Sequence, residues 1–110
     1  MKTPITNEIL CGAGFDLHTD GLYTLDIKAE PTMLELVGFH EENPAEFAVI
    51  ISIRYVSRRL VMDTAVISTV TYDYLCREVI CPTSVEEIRN FLKGHGLPEA
   101  ASRFDVFIKQ

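Results

Sequence analysis

Three cysteines and three histidines are the residues of this 110-residue chain best suited to nucleophilic or metal chemistry. A thiol needs a base only near it in space, so Cys11, Cys76 and Cys81 are each formal partners for His18, His40 or His95. Their settings argue against that use. His18 adjoins Thr19-Asp20, His40 adjoins Glu41-Glu42, and His95 stands between Gly94 and Gly96, turn-like positions where an imidazole is ordinarily hydrated. Cys76 and Cys81 have no matched Cys or His pair downstream at zinc spacing, and the odd cysteine count fits reduced thiols in a cytoplasmic setting better than a disulfide framework.

Other motifs fare no better as catalytic candidates. Gly12-Ala13-Gly14 opens like a dinucleotide fingerprint, but Leu17 occupies the place of the third glycine and a hairpin follows, so a kink in a strand is expected instead. Asp63 and Asp73 share one face of an unbroken strand, yet ten residues of strand would separate them by ~33 Å, too far for paired acid-base work. Arg54, Arg58 and Arg59 cluster at an expected strand tip, a contact for an anion or simply a solvated hairpin end. No catalytic residue, cofactor or metal is expected, and the chain is read as a non-enzyme.

Composition bounds the partners. A net charge of -6 opposes binding to nucleic acid and to anionic lipid. The charge is uneven: residues 1 to 53 carry -7 and residues 54 to 110 carry +1, so the acidic half could meet a basic partner. The N-terminal residues lack an apolar h-region, and the longest apolar run, Phe47 to Ile51, is far short of the ~20 residues that span a bilayer. Neither export by a signal peptide nor membrane insertion is expected.

The elements that would position these residues follow from periodicity. At this length one domain, residues 1–110, is the expectation. Ile9, Cys11, Ala13, Phe15 and Leu17 alternate with polar residues and predict a strand; Asp20-Gly21 predicts a hairpin; Tyr23, Leu25, Ile27 and Ala29 predict the next strand until Pro31 interrupts it. A shorter strand is expected over Met33 to Phe39, followed by a polar turn at His40 to Pro44. Glu46 to Val56 is apolar on both faces, Ser57-Arg58-Arg59 turns the chain, and Leu60 to Leu75 reads as one long strand with a bulge. The period then changes to that of a helix. Thr83 or Ser84 caps it, Glu86 or Glu87 completes a capping box, Val85, Ile88, Phe91 and Leu92 form its apolar stripe, and Gly94 stops it. A further turn is expected at Pro98 to Ala101, with a short strand over Phe104 to Ile108.

The expected fold class is therefore α+β: an antiparallel meander with one short C-terminal helix on one face. Such a helix, about ten residues and ~15 Å long, roofs two or three strands of one face. The two-sided strand at 46 to 56 then calls for a second layer from another subunit, or from a bound apolar ligand or polypeptide, and a homo-oligomer is favoured over a curled single-chain barrel.

Residues Cys81-Pro82-Thr83-Ser84-Val85-Glu86-Glu87-Ile88-Arg89-Asn90-Phe91, then Gly96-Leu97-Pro98 and Phe107, resemble the end of SecB-type export chaperones. There an aromatic-Pro-Tyr-x-Arg-Glu motif opens a helix, a Gly-Leu/Phe-Pro-Pro turn follows and the chain approaches an Asn-Phe pair. Cys81, Thr83, Val85, Glu99 and Val106 depart from that pattern. The resemblance spans residues 81 to 107 and implies a four-stranded antiparallel sheet, self-assembly and ATP-independent holding of non-native polypeptide in hydrophobic grooves. Phe47, Tyr55, Tyr72, Tyr74, Phe91 and Leu97 are the candidate polypeptide-binding residues, because large apolar side chains give sequence-tolerant contacts and strand edges accept an extended peptide. Two other readings stand beside it: an acidic interaction module that docks one basic protein partner, and a small-ligand protein with a pocket between sheet and helix.

Overall fold

The computed structural model describes residues 2–36, 38 and 43–108. Five strands form one antiparallel sheet in the order β1-β2-β3-β4-β5: β1 Asp16–Leu17, β2 Tyr23–Lys28, β3 Phe47–Val56, β4 Arg59–Ser68 and β5 Tyr74–Ile80. Four α-helices accompany them, α1 Asn7–Gly12, α2 Pro31–Leu36, α3 Val85–Gly94 and α4 Pro98–Ser102, with 3-10 turns at Pro44–Glu46 and Asp105–Phe107. The α+β class is as expected from the sequence. The sheet has one strand more than the four that the resemblance implies.

Strand pairing follows the side-chain alternation. Val49, Ile51 and Ile53 of β3 stand opposite Val66, Thr64 and Met62 of β4 and opposite Ile27, Leu25 and Tyr23 of β2. These residues face the helices, and Val49, Ile51, Ile53 and Met62 are completely buried with Leu10, Met33, Leu34, Val85, Ile88, Leu92, Leu97 and Phe104 in one core. Every helical core residue belongs to that cluster, so the helices roof one face of the sheet and the molecule is only 20 Å thick along its shortest axis. The β3–β4 connection is a two-residue turn in which Ser57 (φ 51) and Arg58 (φ 66) both take left-handed backbone, the primed geometry that matches strand twist.

Four expected elements differ. The segment starting at Ile9 is helix α1 and reaches strand only at Asp16: Thr6 Oγ1 accepts the Ile9 N–H at 3.2 Å, and burial of Leu10 and Ala13 supplies the helical spacing. Gly12-Ala13-Gly14 is the end of this helix. Gly14 (φ 108) donates its N–H to the Cys11 carbonyl and Phe15 donates to that of Leu10, a Schellman cap that requires a left-handed residue. The strand expected over Met33 to Phe39 is instead helix α2, entered through Pro31 and burying Met33 and Leu34; Val37, Phe39 and His40 lie outside the described residues.

The long strand expected over Leu60 to Leu75 is two strands. Ser68 Oγ accepts the N–H groups of Val70 and Thr71, and Tyr72 (φ 61) takes the left-handed turn between them. Asp73 therefore lies in a turn, and Asp63 pairs with Arg77 of the neighbouring strand. Phe104 to Ile108 is a turn of 3-10 helix, since Phe104 is drawn completely into the core against Phe15, with ring centroids 6.3 Å apart.

The expected C-terminal helix is α3. Ser84 Oγ accepts the Glu87 N–H at 3.3 Å, and the Glu87 carboxylate accepts both the N–H and the hydroxyl of Thr83. Its far end repeats the cap of α1: Gly96 (φ 75) donates to Lys93 and Leu97 donates to Leu92. The stopping glycine is thus Gly96, two residues past the last helical residue.

Candidate polypeptide-binding surface

The opposite face of the sheet has no roof among the described residues. Alternation from the buried set places Ala48, Ile50, Ser52, Arg54 and Val56 of β3, Val61, Asp63, Ala65 and Ile67 of β4, and Arg77 and Val79 of β5 on this side. Cross-strand partners share a face, so Tyr74, opposite Ile67, joins them. Ile50, Val61 and Ile67 are half-buried, and Val79 and Tyr74 are 53% and 68% exposed. Ala65 is buried because its cross-strand neighbours are Ile50 on one side and Arg77 on the other. The guanidinium of Arg77 grips Asp63 through its Nε, at 3.0 and 2.9 Å from the two carboxylate oxygens, and through Nη2. The face is thus mixed: its aliphatic side chains are interleaved with Ser52, Arg54 and the Asp63–Arg77 ion pair, and β2 adds Thr24, Asp26 and Lys28 opposite Ser52, Ile50 and Ala48.

The two edges of the sheet are unequal. β1 is two residues long, whereas β5 runs for seven residues from Tyr74 to Ile80 with no proline. An edge of that length presents backbone N–H and C=O groups to an added strand. At the register shift between Val66 and Ile67 the residue Leu75 turns toward the core, so the strand changes twist beside Tyr74.

The six residues singled out from the sequence separate into three settings. Tyr74 lies on the uncovered face and Tyr72, 76% exposed, on the β4–β5 turn next to it. Tyr55 is also exposed, but it stands near the β3–β4 tip, roughly 23 Å along β4 from Tyr74, over a groove with Pro4, Ile5, Arg58, Arg59, Cys81 and Pro82. Phe47 and Leu97 are buried in the core, and Phe91 is half-buried with its ring stacked on His95 at a 4.1 Å centroid distance. A single groove lined by all six does not form. Large apolar residues at inward register positions serve the core, and no sequence pattern distinguishes them from outward ones before pairing is known.

Compared with known proteins, the chain matches no family model, no curated protein and no solved structure. The residues missed by sequence reasoning are Ile50, Val61, Ile67 and Val79. Their signal was the two-faced apolarity of 46 to 56, which pointed to a second layer without naming the neighbours on that face.

Charged residues lie on this face as well as around it: Arg54 is one of its β3 residues, and Asp26 and Lys28 of β2 stand opposite Ile50 and Ala48. Arg54, Arg58 and Arg59 make no ion pair among the described residues, nor do Asp16, Asp20 and Asp26 near the β1–β2 hairpin. Cys11, Cys76 and Cys81 are free thiols. No helix among the described residues is long and apolar enough to cross a membrane.

Proposed function

We propose that the protein holds non-native, apolar polypeptide segments without ATP, as a homo-oligomer in which neighbouring uncovered sheet faces wall a groove. The observation that carries this reading is a sheet roofed on one side only among the described residues, with Ile50, Val61, Ala65, Ile67 and Val79 on the other side and the seven-residue edge of β5 beside them. An extended client would add to that edge by backbone hydrogen bonds, which read no sequence, while its alternate side chains meet the aliphatic residues of that face. The resemblance of residues 81–107 to SecB-type chaperones supports the same reading.

The deciding experiment dilutes a chemically unfolded client into buffer with excess protein and no nucleotide, and follows light scattering alongside the native mass. Suppressed scattering from an oligomer is expected. Unsuppressed scattering, or a monomer at the working concentration, overturns the reading.

A second reading rests on a different observation. Asp16, Asp20 and Asp26, which make no ion pair among the described residues, lie on and beside the β1–β2 hairpin, a surface for one basic protein partner. Association through it would weaken steeply between 50 and 300 mM salt, roughly the range over which surface charges become screened, whereas apolar holding would not.

A further inference from the structure

A second site lies on the roofed side, where β4 and β5 leave the shelter of α3. Met33, Thr64, Val66, Cys76, Phe91 and Leu97 enclose a cavity of about 110 Å³, with Glu78 and His95 completing the lining. His95 Nε2 lies 2.9 Å from Glu78 Oε2 and its Nδ1 lies 2.9 Å from the Phe91 carbonyl, so the ring bridges β5 to the end of α3 with both nitrogens engaged. The Thr64 hydroxyl is the one buried side-chain polar atom among the described residues with no hydrogen-bond partner. Leaving such a group unmatched is costly, and a native fold retains few of them.

A water held here would have the Thr64 hydroxyl, the Cys76 thiol and the second Glu78 carboxylate oxygen as partners, and a ligand that bonds Thr64 while burying apolar surface against Met33, Val66, Phe91 and Leu97 would displace it. Charge is unsuited: an anion would meet the Glu78 carboxylate, and a bare cation would lose its hydration against Met33, Val66, Phe91 and Leu97. The Cys76 thiol is not poised for attack, since burial pushes its pKa up and the Glu78 carboxylate adds to the rise.

We propose that this cavity binds a small neutral organic molecule, a ring or short branched chain of about five to seven heavy atoms, whose single polar group hydrogen-bonds the Thr64 hydroxyl. The site is independent of the uncovered sheet face, and its occupancy neither needs nor implies polypeptide binding. Phe91, fixed by its stack on His95, supplies an aromatic wall, and Leu97 and Val66 supply the aliphatic floor.

The test titrates phenol, benzene and benzoate separately into the intact protein and follows backbone amide shifts by NMR. Phenol is expected to bind in roughly the millimolar range, with shifts centred on Thr64, Cys76, His95 and Leu97; benzene should bind more weakly and benzoate not at all. Thr64→Val keeps the shape and removes the unpartnered hydroxyl, so it should fold at least as well as the parent while weakening phenol about three- to tenfold and leaving benzene unchanged. Cys76→Leu, on the edge strand, should fill the cavity and weaken both at least about tenfold. Absence of localised shifts with phenol up to about 10 mM, or phenol affinity indifferent to both substitutions, overturns the proposal.

Discussion

Glu86, in the first turn of α3, holds Thr3 with both carboxylate oxygens across 83 positions of sequence: the Thr3 N–H reaches Oε1 at 2.8 Å and its hydroxyl reaches Oε2 at 2.8 Å. The Thr3 carbonyl in turn accepts the Val85 N–H at 2.9 Å, so the N-terminal segment is tied to the start of α3 by three hydrogen bonds. The backbone hydrogen bond from Thr3 holds the Glu86 carboxyl below its ordinary value, against the opposing effect of desolvation; the Thr83 N–H and hydroxyl do the same for Glu87. Folding thus favours the ionised form of both. Their contribution is complete above the ordinary value near 4.5 and is lost as pH falls through the lower folded values. Urea denaturation should therefore show stability falling from about pH 4.5 downward. Glu86→Gln should be less stable at pH 7 and show a shallower fall, and identical slopes for the two proteins would contradict the assignment.

Ser84 is completely buried and caps α3 through the Glu87 N–H. Ser84→Ala should lower unfolding free energy by about 1–2 kcal/mol, and Ser84→Gly by less from the cap alone. Chemical denaturation at neutral pH reads the difference.

Gly96 is where α3 meets α2. Its φ is 75, a Cβ there would lie 2.6 Å from the Met33 Cα, and its carbonyl accepts the Thr32 hydroxyl at 2.6 Å. Gly96→Ala combines left-handed strain with a backbone clash and should cost about 2–4 kcal/mol. By contrast Gly21, with open space around its Cβ position, should show only the strain of its φ of 86. Thermal melting of the two variants separates the causes.

The β3–β4 turn holds two residues that do not favour left-handed backbone. Replacing Ser57 and Arg58 together by Asn and Gly should stabilise the fold by about 0.5–1 kcal/mol, because those residues adopt φ near 51 and 66 more readily. A lower melting temperature for the double variant would show that the Arg58 side chain contributes more than the backbone gains.

Val79→Lys places a charge on the uncovered face at a position already 53% exposed. Stability should change by less than about 0.5 kcal/mol, while suppression of client scattering should fall several-fold. Unchanged suppression would move client binding away from this face.

The short elements show where local signals sufficed. β2, β3 and α3 repeat one period over six to ten residues and carry their own stops, so they were legible in the sequence. α1 was not, because Ile9, Cys11, Ala13, Phe15 and Leu17 alternate by chance across a six-residue helix and the strand after it. The break between β4 and β5 contains neither glycine nor proline; the Ser68 hydroxyl, the Ser68 carbonyl that accepts the Tyr72 N–H and the left-handed Tyr72 make it, and none of them announces a turn.

The amino-acid sequence by itself determined the antiparallel α+β class, the capped α3 and the two-faced apolarity of residues 46 to 56, since these rest on periodicity and chain chemistry within single segments. Tertiary structure alone decided that Pro31–Leu36 is a helix, that Phe47 and Leu97 are core while Ile50, Ile67 and Val79 lie on the open face, and that Thr64 meets Cys76, Glu78 and His95 at one cavity. Those outcomes depend on which faces bury together, a long-range free energy that no segment holds within itself.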